Sequence, residues 1–302
     1  MNNLKLNAWV HAARLRTLPL AISGILLASF IAYNQGPFHW SVFSLALTTT
    51  LLLQILSNLA NDYGDFTHGT DNENRIGPER AVQSGIISPQ EMKLAIYIIG
   101  MLAFATGIVL LISALDKAIG FVFILFLITG LLAIGAAIKY TVGKTNYGYK
   151  GFGDIMVFLF FGIASVMGTH FLYTLKTDWK VLLPATALGL LSAGVLNVNN
   201  MRDVANDKIS GKITLAVRFR KKGSKTYHLV LILLSLIFLS TYLFIINEKN
   251  VLLSMVVPAL PLLVHSYNVL KNDEPKKLDP ELKRLALSTL FISLWMGIGL
   301  IL

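Results

Sequence analysis

Two short stretches place acids and amides at helical spacing. In 58-NLANDYGDFTHGTD-71, Asn58 to Asp62 is an i,i+4 step, Asp62 to Asp65 an i,i+3 step, and Asp71 follows six residues later. Asn199, Asp203 and Asp207 are spaced i,i+4,i+8. If helix runs through each stretch, every set lines one face. Carboxylates crowded in this way repel one another, and beside apolar protein they are costly unless a cation compensates. Two facing sets of hard oxygen donors suit Mg²⁺, which binds through one or two carboxylates completed by water and substrate phosphates.

Either set alone reads equally well as aspartates capping helix ends at a water boundary. Two matched sets, each with an asparagine inside the end of an apolar run, point instead to a site. Cations stand beside both: Arg75 and Arg80 in 75-RIGPER-80, and Arg202, Lys208 and Lys212 around the second set. Acids that hold metal, mixed with guanidinium and ammonium groups, are what a diphosphate needs.

The elements that must position these residues are membrane helices. Only 14% of the 302 residues are charged and 55% are hydrophobic. Nine apolar runs, near 18–34, 41–61, 94–115, 118–138, 155–175, 181–201, 226–247, 250–270 and 285–302, are long enough to cross a bilayer. Backbone groups in lipid must be satisfied within each run, so the chain is expected to be an all-α polytopic bundle of nine transmembrane helices. The first run follows Arg14 and Arg16 without a small-residue cleavage site and reads as a retained helix. The absence of cysteine excludes disulfides and thiolate chemistry.

Assigning the connections to alternate sides puts 22 of the 26 Lys and Arg residues on one side and Lys117, Lys176, Lys180 and Lys249 on the other. The N-terminus is therefore expected in the cytoplasm, and the net charge of +10 reflects topology rather than nucleic-acid binding. The long polar segments, 62–91 and 202–225, fall on the cytoplasmic side and follow runs two and six. The chain thus reads as one domain, 1–302, made of two four-helix units (pseudo-repeats about 1–150 and 151–285) plus a final helix, with a site between the halves.

Taken together, these stretches resemble the UbiA superfamily of membrane prenyltransferases. The likeness rests on 61-NDYGD-65, on 199-NNMRDVANDKISGKITLAVR-218, and on Tyr140 and Lys144 in 140-YTVGK-144. The stretches 13-ARLRTLPL-20, 75-RIGPERAVQSG-85 and 149-YKGFGD-154 are similar to the branch that acts on 1,4-dihydroxy-2-naphthoate in menaquinone synthesis. One departure concerns the third aspartate of the first motif: Gly69 stands where the superfamily usually has it, and Asp71 comes two residues later.

The resemblance implies an enzyme of the inner membrane with its active site facing the cytoplasm. It would transfer a polyprenyl group from its diphosphate to 1,4-dihydroxy-2-naphthoate, with Mg²⁺ as cofactor. Asp62, Asp65, Asp71, Asp203 and Asp207 are then the metal ligands, assisted by Asn58 and Asn199. Arg75, Arg80, Lys139 and Lys144 are candidates for the diphosphate, Lys139 being equally a topology anchor. Tyr140 and Asp154 would stabilise cationic charge or help deprotonate the ring, unless Asp154 simply caps helix five. Arg14 or Arg16 would hold the naphthoate carboxylate or anchor the helix. His68 reads as a solvated loop residue, His170 as a satisfied interior group, and 158-FLFFG-162 as helix packing. The competing readings are a related transferase with another acceptor, such as 4-hydroxybenzoate, and a cation or organic-anion carrier.

Overall fold

The computed structural model describes residues 3–36, 38–71, 76–115, 120–143 and 146–302. Among the described residues there are nine helical spans and no strand. They are α1 (Asn3–Gln35), α2 (Trp40–Thr67), α3 (Pro89–Leu115), α4 (Phe121–Lys139), α5 (Gly153–Thr174), α6 (Trp179–Ile209), α7 (Leu215–Ile245), α8 (Lys249–Lys271) and α9 (Pro275–Ile301). Each is long and apolar enough to cross a membrane, and the chain is an integral membrane protein.

Several boundaries lie outside the apolar runs. Helix begins at Asn3, well before the first run, and breaks at Arg14, which takes a left-handed φ of 50° before a 3₁₀ turn over Leu15–Thr17. Pro19 lies in the first turn of the continuation, where its missing N–H is not needed by the helix. The stretch 202–225, expected as a long polar segment between membrane runs, is mostly helical: α6 runs to Ile209 and α7 restarts at Leu215. Its charges sit on helix ends that project beyond the apolar run. α7 is kinked at Arg220, where φ is 59°.

α6 is the most buried span and packs on α5, α7 and α9. α5 winds as a wide π-helix over Phe158–Met167, and Gly162 brings it against α6. A Cβ on Gly162 would stand 2.6 Å from the Cα of Gly189, so only glycine permits this approach. α2 packs with α3, and both contact α4, which has no buried residue of its own. α9 lies against α1 and α6 and so joins the early helices to the late ones. Between these layers lies a cavity of about 810 Å³, lined in part by residues of the connections after α2, α4 and α6.

Candidate active site

Both acidic sets stand near the C-terminal ends of long helices. Asp65 lies two residues before the end of α2 and Asp207 two before the end of α6. The helix dipole is negative there, so a carboxylate is doubly disfavoured without cations or donors. The structure supplies both. The ammonium of Lys212, just past α6, is 3.7 Å from Asp65 Oδ1 and 3.9 Å from Asp207 Oδ1. The hydroxyl of Tyr149 donates to Asp65 Oδ1 at 2.8 Å, and Lys212 also lies over the Tyr149 ring, 5.1 Å from its centre. Arg80 Nε is 3.7 Å from Asp71 Oδ2.

The two halves meet through these loops. The Asn206 amide donates to the carbonyl of Thr70 at 2.7 Å, and Ile213 N–H donates to the carbonyl of Tyr149 at 2.9 Å. Gly64 is needed for the close approach of the segment after α4, because a Cβ there would collide with Thr141. The Thr141 hydroxyl donates to the carbonyl of Ala60 at 2.9 Å and lies 3.2 Å from Asn61 Oδ1.

At one end of the cavity Asp65, Asp71, Asp203 and Asp207 share the wall with Asn61, Asn199 and Asn206, and with Arg14, Arg16, Arg80 and Lys212. Its other walls are apolar, with Phe104, Ile108, Leu111, Phe126, Phe160 and Phe161 among them. The run 158-FLFFG-162 therefore divides: Phe158 packs against Gly189, while the next two phenylalanines face the cavity. Tyr140 also lines it, its phenol pushed up to about 12 by burial, with Lys212 opposing. Burial, followed by Asp65, likewise pushes the Tyr149 phenol up, so both hydroxyls keep their protons at neutral pH. For Lys212 burial acts downward, but the carboxylates of Asp65 and Asp207 outweigh it and hold the ammonium well above its ordinary value.

Several residues expected at the site are placed elsewhere. Asp62 is buried away from the cavity, where its two oxygens accept the backbone N–H groups of Ala81 and Val82, each at 3.2 Å. It anchors the connection after α2. Asn58 lines the cavity, but its amide donates to the carbonyl of Ala13 at 2.9 Å and to Thr17 at 3.1 Å, which fastens the break in α1 to α2. Asp154 lies behind the wall and accepts the Tyr227 hydroxyl at 3.3 Å. It is already inside the helix, whose N-cap is Phe152. Lys139 ends α4 on the exposed surface. Arg75 and Lys144 lie outside the described residues.

Asp71, off the usual spacing, does reach the cavity with Asp65. His68 is exposed, yet its ring is held by the carbonyl of Gly64 at 2.8 Å and packs 5.1 Å from Tyr149. His170 lies 2.8 Å from Gln35 Oε1. Asn61 is a site residue that the motif reading passed over. It stands four residues before Asp65, as Asn199 stands four before Asp203, and that repeated step was the available signal.

Among the described residues no three acids or histidines converge closely enough to form a metal cage by themselves. The donors are instead hard oxygens spread around a polar cavity end with cations among them. That set fits Mg²⁺ whose coordination is completed by the oxygens of a bound phosphate compound.

A model of the UbiA prenyltransferase family matches residues 21–297. A 1,4-dihydroxy-2-naphthoate octaprenyltransferase of Haemophilus influenzae is 40% identical, the alignment covering 100% of this chain and 98% of the relative. One from Escherichia coli is 43% identical over 98% of this chain and 95% of the relative. The fold is also similar to the structure of a UbiA homologue from Archaeoglobus fulgidus bound to GPP and Mg²⁺, with a TM-score of 0.64, 16% identity, and coverage of 96% of this chain and 100% of that one.

Proposed function

The chain belongs to the UbiA prenyltransferase family, and we propose that it transfers a polyprenyl group from its diphosphate to 1,4-dihydroxy-2-naphthoate. The C–O bond between prenyl chain and diphosphate breaks, and its electron pair leaves with the diphosphate. A carbon of the electron-rich ring forms the new C–C bond, and the ring carboxylate departs as CO₂. The product is demethylmenaquinone in its reduced, hydroquinone form, since no oxidant takes part.

One observation carries this reading: aspartates from two separate helices, α2 and α6, meet with Lys212 and Arg80 at the polar end of one apolar cavity. Arg80 and Lys212, which line the cavity, would bind the diphosphate, and Arg75 and Lys144, outside the described residues, are further candidates from the sequence motifs alone. Asp65, Asp71, Asp203 and Asp207 would hold Mg²⁺, assisted by Asn61 and Asn199. The ion would supply positive charge against the leaving diphosphate. The phenylalanine-lined wall receives the prenyl chain and excludes water from the allylic cation. Tyr140, protonated and lining the same cavity, would stabilise cationic charge on the allylic carbon. Arg16, which lines the cavity, would take the naphthoate carboxylate.

The excess of basic residues on the connections at the polar end supports an inner-membrane protein whose site faces the cytoplasm. The deciding experiment incubates the purified protein with 1,4-dihydroxy-2-naphthoate, Mg²⁺ and a ladder of prenyl diphosphates and weighs the products. The expected product is a prenylated, decarboxylated naphthalenediol. Prenylation of 4-hydroxybenzoate with none of the naphthoate would overturn the reading.

A further inference from the structure

Arg202 is the largest fully buried side chain, and a buried guanidinium is tolerated only when its charge and donors are matched. It grips Asp203 with two bonds, Nε to Oδ1 at 2.9 Å and Nη2 to Oδ2 at 2.6 Å, and reaches Asn199 Oδ1 at 3.0 Å. Its remaining nitrogen, Nη1, donates to Asp279 Oδ1 at 2.5 Å. Asp279 is the first residue past the 3₁₀ turn of α9, far in sequence from both acidic motifs. The same carboxylate receives Arg16 Nη1 from α1, 3.2 Å from each oxygen. A chain of alternating charge, Arg16–Asp279–Arg202–Asp203, thus runs from α1 through α9 to α6, and Arg16, Asp203 and Asn199 line the cavity.

This arrangement has a consequence for a site that must admit a divalent ion. When Asp203 shares its charge with the ion, Arg202 loses part of its compensation while still buried. A second carboxylate on Arg202 removes that cost and keeps the guanidinium in place to fix the orientation of Asp203.

We propose that Asp279 is a positioning residue of the transferase: through Arg202 it sets the orientation of Asp203 toward Mg²⁺ and diphosphate, and through its second contact it holds Arg16 in the cavity wall. The inference rests on the transferase reading above.

The test uses full-length Asp279→Asn and Asp279→Glu proteins in detergent. Three quantities are measured: Mg²⁺-dependent binding of an unreactive prenyl thiodiphosphate, kcat and KM for both substrates, and the melting temperature without ligand. The expected result for Asp279→Asn is analogue binding weakened by about tenfold at fixed Mg²⁺ and a raised Mg²⁺ requirement, with little change in melting temperature. Asp279→Glu, which restores the charge, should recover much of the binding. Unchanged binding and Mg²⁺ requirement in Asp279→Asn would overturn the proposal. So would a binding loss that merely follows a lower melting temperature and is not rescued by glutamate. If the wild type prenylates no naphthoate, the transferase reading fails, while the binding measurement still judges Asp279.

Discussion

The ammonium of Lys212 stands 3.7 Å from Oδ1 of Asp65, although the two belong to opposite halves of the chain. A similar approach to Asp207 makes one lysine the shared counter-ion of both acidic sets. Without bound metal this cation takes up the repulsion that would otherwise drive the ends of α2 and α6 apart. If Mg²⁺ and diphosphate bind as proposed, the same ammonium would turn to the phosphate oxygens, so no charge would be stranded in either state.

Replacing Lys212 with Gln should therefore destabilise the metal-free protein by about 3 kcal/mol, the scale for breaking a buried ion pair. Mg²⁺ should restore more melting temperature to the variant than to wild type, because it supplies the missing charge. The pH dependence has a defined sign. The folded-state pKa of Lys212 is raised above its ordinary 10.5, so its stabilisation is fully present below that value and is lost only as pH rises through the higher one. The gap in melting temperature between wild type and variant should thus stay constant from about pH 7 to about pH 10. Equal stability of the two proteins without Mg²⁺ would contradict this account.

Asp62 and Asp65 share a motif but should fail in different ways. Asp62→Ala strips the acceptor from two buried N–H groups, at a cost of roughly 1–3 kcal/mol for each group left unsatisfied. It should lower the melting temperature and loosen the 76–88 connection to limited proteolysis. Asp65→Asn keeps the shape and an acceptor for Tyr149 and leaves Asp207 as counter-ion of Lys212, so it should lower the melting temperature less than Asp62→Ala while losing Mg²⁺-dependent turnover by about a hundredfold. The decisive comparison is melting temperature against turnover in both variants. A stable, inactive Asp62→Ala beside an active Asp65→Asn would reverse the assignment.

These two residues also show how far the sequence could be read. The nine spans are legible because a bilayer imposes one length and one composition on each. Asp203 and Asp207 follow from helical spacing alone. Spacing cannot say which of two overlapping sets in 58-NLANDYGD-65 turns toward the partner helix. Asn58–Asp62 and Asn61–Asp65 are the same i,i+4 step, and tertiary packing sends the second pair into the cavity while Asp62 takes the backbone of residues 81 and 82. Asp279 carries no motif at all, since its role exists only where α9 meets α1 and α6. Lys139 and Asp154 sit beside recognisable stretches, yet they lie on the outer side of the walls those stretches build.

Tyr149 comes from a stretch whose resemblance assigned it no role, yet its hydroxyl lies between Asp65 at 2.8 Å and Thr70 at 2.5 Å. Tyr149→Phe keeps the ring under Lys212 and beside His68 and removes only these two bonds. Turnover should fall by about tenfold with KM for the prenyl diphosphate raised, as expected when an orienting partner of a metal ligand is lost. Because burial keeps this phenol protonated, the alkaline limb of the pH–rate profile should be the same in wild type and variant. A limb that shifts in the variant would assign Tyr149 a proton-transfer role instead.

The absence of cysteine makes the orientation of the bundle directly measurable, because any introduced thiol is the sole target for a maleimide. Lys276 is exposed in the turn that opens α9, at the polar end of the cavity, and Lys249 is exposed where α8 begins, at the opposite end. Replacing surface lysines costs little stability, so both single-cysteine proteins should fold and remain active. In intact cells whose outer membrane has been permeabilised, an impermeant maleimide should label Lys249→Cys and leave Lys276→Cys unlabelled. Opening the inner membrane should then expose the second thiol. This outcome is expected from the proposed orientation, in which the crowding of basic residues around the polar end would keep that end in the cytoplasm. Labelling of Lys276→Cys in sealed cells would place the acidic sets, and with them the diphosphate chemistry, on the outer face.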